Sequence, residues 1–168
     1  TKSVTILEIM GRNAGWLTGA AALAKGEDCE GPDMIFLPEI PFDVDEFMKK
    51  VEQLQKEKSS VVVAVSEGVK VADGRYVCEL TDNIDYVDAF GHRQLTGTAR
   101  YLAERISREV GCKTRAIEFN SLQRCASHIV GRVDITEAFQ VGGAAVKAAF
   151  EGETAKMIIL KRISDDPY

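Results

Sequence analysis

The sequence predicts an α/β fold, a layered sandwich built on a mostly parallel sheet. Three observations predict it. Short β-branched runs alternate with amphipathic helical stretches along the chain, the pattern of strand–helix–strand units. One run, Val61 to Val65, is apolar at every position, as expected of a central parallel strand covered on both faces. Strands also end repeatedly in polar or glycine-containing turns, which right-handed crossovers gather on one edge of a sheet.

In order, Val4 to Ile9 reads as the first strand. The turn Met10-Gly11-Arg12-Asn13-Ala14-Gly15 follows, then an alanine-rich helix from about Trp16 to Lys25. Met34 to Leu37 is a second strand, closed by Pro38. A helix from Asp43 to Lys58 places Phe47, Val51 and Leu54 on one face. The strand Val61 to Val65 stops at Ser66-Glu67-Gly68. Val69 to Thr98 is a long irregular excursion with Gly74, Gly91 and Gly97, in which Asp82, Asp85 and Asp88 read as a solvated face rather than a metal site. Thr98 to Val110 is an amphipathic helix with Leu102, Ile106 and Val110 inward. Ala116 to Phe119 is predicted as a buried strand, entered through Lys113-Thr114-Arg115 and closed by Asn120-Ser121. A last helix, Thr136 to Phe150, turns Val141, Ala145 and Ala148 inward, Gly152 ends it, and Met157 to Leu160 is a final strand.

The 168 residues suffice for one domain with a real core, and a single domain over 1–168 is the expectation. Hydrophobic residues make up 45% and charged residues 28%, the balance of an ordinary globular domain. A net charge of −5 argues against a broad nucleic-acid surface, so any anion site must be a local basic cluster. No apolar run approaches the ~20 residues of a membrane span, and no signal-peptide pattern is present. Cys29, Cys78, Cys112 and Cys125 are dispersed, no Cys-x-x-Cys occurs, and the only histidines are His92 and His128, which argues against zinc. A reduced, cytoplasmic protein is the simplest reading. The chain opens on Thr1 without an initiator methionine and is read as a fragment.

The polar strand ends carry the functional expectation. Ligands of open α/β sheets bind outside the carboxyl ends of the strands. Ser121 and Arg124 follow one such end, and guanidinium groups bind phosphate bidentately while staying charged; exposed solvated arginine is the plain alternative. The glycine-containing turn with Arg12 leads into a helix N-terminus, where backbone N–H groups receive anions. Glu67, at another strand end, is either a turn acid or an acceptor for substrate hydroxyls. Arg12, Glu67, Ser121 and Arg124 on one edge point to a phosphorylated small molecule. A dinucleotide site is set aside, because only Gly11 and Gly15 stand where G-x-G-x-x-G is needed.

These residues resemble the phosphofructokinase family. Met10-Gly11-Arg12 with Asn13-Ala14-Gly15-Trp16 is similar to its MGR-x-x-G turn. Ser66-Glu67-Gly68 ends a valine-rich strand as the family's does. Thr114-Arg115 followed by Gln123-Arg124 is similar to its TR…QR segment, and Pro38-Glu39 also fits. The resemblance covers essentially the whole chain and implies the substrate-side domain of a phosphofructokinase-like fold. Met10, Gly11 and Arg12 are then expected to line a fructose 6-phosphate site, Glu67 to accept hydrogen bonds from fructose hydroxyls, and Arg124 to bind the 6-phosphate. Arg115 is expected to reach the 6-phosphate of a neighbouring subunit, so the resemblance implies a homo-oligomer with shared sites. Arg12 would also help neutralise the phosphoryl group in transit, in a reaction that rests on positioning and charge.

The chain departs from the family where many members have histidine in place of Ser121, where Cys125-Ala126 replaces a Gly-Gly pair, and where Ser3, with Lys2 adjacent, occupies the usual place of a basic residue. The Gly-rich donor segment and the TIDND-type aspartate segment do not occur. No catalytic residue is therefore expected within the fragment beyond Arg12, and Mg2+ is expected to be held with the donor on a preceding domain. The fragment alone is expected to be inactive. Ser66-Glu67-Gly68 and Asn120-Ser121-Leu122 resemble the variants of pyrophosphate-dependent and related lineages more than those of the best-known ATP enzymes, so the resemblance implies pyrophosphate as donor, with ATP the alternative, in a glycolytic reaction. Glu39, Lys56 and Lys58 align with an effector site of allosteric bacterial ATP-dependent members, against the simpler reading of surface charges. The rival class is a sugar-phosphate-sensing or structural domain without chemistry.

Overall fold

Among the described residues four strands, all parallel, form one sheet in the order β2-β3-β1-β4: β1 Ser3–Ile9, β2 Met34–Phe36, β3 Ser60–Ser66 and β4 Lys113–Glu118. The helices between them are α1 Trp16–Ala20, α2 Val44–Glu57 and α3 Thr98–Glu109; α4 Ser121–Arg124 and α5 Arg132–Phe150 follow the sheet. This computed structural model describes residues 2–80 and 97–166. The expectations placed on Asp82, Asp85, Asp88 and Gly91 lie outside the described residues. The chain divides into two compact units, Thr1–Gln123 and Arg124–Tyr168.

In the first unit β1 is central, in register with β3 from Ser3↔Ser60 to Ile9↔Ser66 and with β4 from Ser3↔Lys113 to Glu8↔Glu118. Alternation along the strands sends Val4, Ile6, Val61, Val63 and Val65 into one continuous core with Phe47 and Val51 of α2 and Leu102 and Ile106 of α3. Phe36, Phe42 and Phe47 close one end of it, with ring centroids 4.9 to 5.6 Å apart. α2 starts where the Asp43 side chain accepts the Glu46 N–H at 2.9 Å. Its apolar positions keep the predicted helical spacing, with Met48 and Gln55 added to the buried face.

The opposite sheet face is thinly covered. Leu7, Ile9 and Val62 line an apolar groove of about 730 Å³ with Leu17, Phe119 and Leu122. α1 is five residues long and passes into a 3-10 helix, Ala21–Ala24, where one helix to Lys25 is the expectation. No side chain caps it and it contains the poor helix former Gly19, so alanine propensity alone does not sustain the longer α-helix.

Two further expectations are corrected. β4 is an edge strand, with one neighbour among the described residues, and Ala116 and Ile117 are exposed where a buried strand is expected. In the second unit, 157–160 forms no strand, since it has no partner among the described residues, and Met157, Ile159 and Leu160 are exposed. α5 begins at Arg132 rather than Thr136, with Asp134 favourably placed in its first turn. None of its described side chains is buried; Val141 and Ala148 are half-buried and Ala145 is exposed.

Candidate functional site

β1 and β3 end side by side, and the segments that leave them interlock. The Glu67 N–H donates to the Ile9 carbonyl at 3.0 Å, extending the ladder one residue past the strands. The chain then turns at Gly11, whose φ of +145° suits glycine. Its N–H donates to Glu67 Oε1 at 3.2 Å, and its carbonyl accepts the Ser66 hydroxyl at 2.5 Å. That hydroxyl oxygen also accepts the Gly68 N–H at 3.1 Å. Ser66 is fully buried and can serve as donor and acceptor at once. Gly68 packs directly on the Arg12 backbone. Met10-Gly11-Arg12 and Ser66-Glu67-Gly68, 56 residues apart, are thus one structural piece.

The third motif joins the same piece. Phe119 N–H donates to the Glu8 carbonyl at 3.2 Å, and Asn120, at φ +43°, turns the chain into α4. Gln123 then places Oε1 2.7 Å from the Met10 N–H, which it accepts. The far end of the turn is fixed by Glu39, whose Oε1 accepts the Gly15 N–H at 2.7 Å. Gly15 is buried against Leu37, Pro38 and Glu39, with no room for a Cβ.

The structure therefore brings Met10, Gly11, Arg12 and Glu67 to the carboxyl edge of β1 and β3. Ser121, exposed, opens α4 beyond the end of the adjacent β4. Arg12 is exposed and Glu67 half-buried, so a guanidinium and a carboxylate both face solvent from one interlocked turn. Arg115 is not brought there: it sits opposite Thr5, in the amino half of β4, and is exposed. Arg124, also exposed, ends α4 and begins the second unit. Two of the three residues aligned with an effector site, Glu39 and Lys58, have other partners. Glu39 holds Gly15, and Lys58 pairs with Glu30 at 2.6 Å and Asp33 at 2.7 Å.

Sequence reading missed two residues of this edge, Gln123 as a support and Glu8. Glu8 shares the buried parity of Val4 and Ile6 and is 3% exposed. Its Oε2 accepts the Ala99 N–H at 2.8 Å, capping α3, whose own N-cap is the side-chain-less Gly97. Burial pushes the Glu8 carboxyl up to about 7; Glu118 and Glu67 add to this, while the Ala99 and Gly97 N–H groups oppose it. The available signal was an acid at an inward position of an apolar strand. For Gln123 the sequence offered only its place in a motif.

Comparison with known proteins agrees with this geometry. The family model described as phosphofructokinase matches residues 1–149. A pyrophosphate–fructose 6-phosphate 1-phosphotransferase of Halomonas elongata is 41% identical over 165 residues, covering 98% of this chain and 38% of that protein. An ATP-dependent 6-phosphofructokinase of Mycobacterium bovis is 31% identical over 159 residues, covering 94% of this chain and 43% of the relative. The crystal structure of a pyrophosphate-dependent phosphofructokinase from Marinobacter aquaeolei superposes with a TM-score of 0.64 at 33% identity, covering 100% of this chain and 37% of that one. The chain spans less than half the length of these relatives. On the family match, and on a parallel sheet whose strand-end motifs interlock, the chain belongs to the phosphofructokinase family.

Proposed function

We propose that this chain is the fructose 6-phosphate-binding part of a 6-phosphofructokinase that transfers a phosphoryl group from pyrophosphate to the sugar's 1-hydroxyl. The observation that carries the reading is the interlock of Met10-Gly11-Arg12 with Ser66-Glu67-Gly68, which holds a cation and a hydroxyl acceptor at one strand edge. In this reading Glu67 accepts from sugar hydroxyls, and Arg12 neutralises the phosphoryl group in transit. Ser121 and Arg124 receive the 6-phosphate, Ser121 as a donor without charge. The remote, exposed position of Arg115 supports its contact with the 6-phosphate of a neighbouring subunit in a homo-oligomer. Similarity to proteins named as pyrophosphate-dependent, at 41% identity against 31% for the ATP-dependent relative, supports the donor.

Among the described residues no group of three or more histidine, cysteine or acidic side chains is disposed to hold a metal. A resident Mg2+ does not fit these residues; in this reading it arrives with the donor on a preceding domain, and this chain contributes binding, charge and orientation. Fructose 6-phosphate should raise the unfolding midpoint of the chain with the logarithm of its concentration over Kd, and Arg12→Ala and Arg124→Ala should remove the rise. Assay of the full-length natural protein with pyrophosphate and with ATP then identifies the donor. Sugar-phosphate binding with turnover on neither donor would favour the sensing domain.

A further inference from the structure

The turn that carries Arg12 is anchored at its two ends, where Gln123 accepts the Met10 N–H at 2.7 Å and Glu39 accepts the Gly15 N–H at 2.7 Å. Its middle is held by the segment 66–68. The Gly11 carbonyl, which accepts the Ser66 hydroxyl at 2.5 Å, lies in the same rigid peptide plane as the nitrogen and Cα of Arg12. Fixing that oxygen fixes the plane from which the Arg12 side chain departs. On the other flank the Arg12 carbonyl lies against Gly68, with no room there for a Cβ. Gly68 is itself tied to Ser66, whose oxygen accepts the Gly68 N–H at 3.1 Å. One hydroxyl thus acts on both flanks of Arg12. Gly11, at φ +145°, has the freedom of glycine and does not hold this geometry by itself. Ser66 and Gly68 are buried, so water is not at hand to replace the bonds. The Gly11 N–H bond to Glu67 Oε1, at 3.2 Å, uses a carboxylate that in the proposed chemistry turns to sugar hydroxyls. The Ser66 bonds need not change when a sugar binds.

We propose that Ser66 is a positioning residue for phosphoryl transfer: its hydroxyl sets where Arg12 stands relative to Glu67. The inference rests on the reading under Proposed function, in which Arg12 neutralises the group in transit while Glu67 holds the sugar. Arg12 follows the end of β1 and Glu67 the end of β3, and the Ser66 side chain spans the two. Ser66 is fully buried and acts through the backbone of its neighbours. Phosphoryl transfer depends on positioning and charge, and a misplacement of about 1 Å is enough to slow a reaction. A displaced Arg12 should therefore slow the chemical step more than it weakens sugar binding.

The test is steady-state kinetics of the full-length natural protein carrying this chain, with fructose 6-phosphate, Mg2+ and either donor, alongside unfolding midpoints. Ser66→Ala removes the hydroxyl and should lower kcat by about 10- to 100-fold, with KM for fructose 6-phosphate changed less. Ser66→Thr keeps the hydroxyl but adds a methyl to a packed corner, so it should restore most of kcat while its midpoint falls. A purely structural serine predicts that activity follows the midpoint in both variants. In an Arg12→Lys background, Ser66→Ala should lower kcat by a smaller factor, because a flexible ammonium gains little from a fixed backbone. Four results each overturn the proposal and leave the parent reading intact: wild-type kcat in Ser66→Ala, a change in KM alone, a Ser66→Thr as slow as Ser66→Ala, or an equal factor in both backgrounds. Should Ser66→Ala fail to fold, Ser66→Cys, with a weak donor in place of the hydroxyl, decides instead. Absence of turnover with either donor in wild type overturns the parent reading and this inference with it.

Discussion

Gly68 sits so close to Arg12 that a Cβ at position 68 would lie 1.9 Å from the Arg12 carbonyl oxygen. The obstacle is backbone, which cannot swing aside as a side chain can. Gly68→Ala should therefore push the Arg12 turn out of place and destabilise the chain by about 1–3 kcal/mol, the range of overpacking changes. A urea midpoint unchanged in Gly68→Ala would show that the turn yields freely. A lowered midpoint with the thermal response to fructose 6-phosphate intact would show that the turn is not part of the site.

Gln123 holds the Met10 N–H through one acceptor. Gln123→Met keeps the bulk but loses the acceptor, leaving a half-buried donor unpaired at a cost of about 1–3 kcal/mol. Gln123→Glu keeps an acceptor in reach and should restore most of the stability. Equal midpoints for Gln123→Met and wild type would remove Gln123 from the support of this turn.

Stability should fall as pH rises through the range set by Glu8. The folded-state value is raised from 4.5 to about 7, so between these the folded state binds more protons than the unfolded one. The slope of stability against pH is then negative, and the contribution present at and below 4.5 is lost through about 7. The loss amounts to about 3 kcal/mol at most. Denaturant midpoints between pH 4.5 and 8.5 should show this decline, and Glu8→Gln should flatten it. A wild-type profile as flat as that of Glu8→Gln would mean that the buried carboxyl titrates normally.

Asp43 accepts the Glu46 N–H at the start of α2. Asp43→Ala should cost about 1 kcal/mol, measured as a shift in the urea midpoint. Asp43→Asn should retain most of it. A full loss in Asp43→Asn would assign the effect to charge at the helix N-terminus instead.

The sheet was legible because its signals are local. The valine run of β3, the alternation in β1 and the helical spacing of Phe47, Val51, Leu102 and Ile106 each declare which face is buried. The strand edge was legible as motifs, and Met10, Gly11, Arg12 and Glu67 do meet there as one candidate site. The exposure of β4 was not legible, because its rank in the sheet is decided by strands far away in sequence. Ala116 and Ile117 read as core in composition, yet they sit on an edge strand. The strand expected at Met157 to Leu160 failed similarly, since an apolar run becomes a strand only where a partner edge is offered. Glu8 was passed over because its partner, the Ala99 N–H, is 91 residues away.

The place of β1 in the sheet also governs how the chain comes to be folded. β1 leaves the ribosome ahead of both its partners, which begin at Ser60 and Lys113. At the usual ~5–20 residues per second, roughly 5–20 s pass before both exist. Such distant pairings give a high contact order, hence slow closure and a sticky interval in which a β-branched segment stands unpaired. The edge that holds Arg12 and Glu67 is formed by β1 and β3, but the Gln123 support of Met10 arrives only once the last strand docks. Truncations ending between β3 and β4 should therefore burden chaperones and proteases more than their lost length alone would suggest.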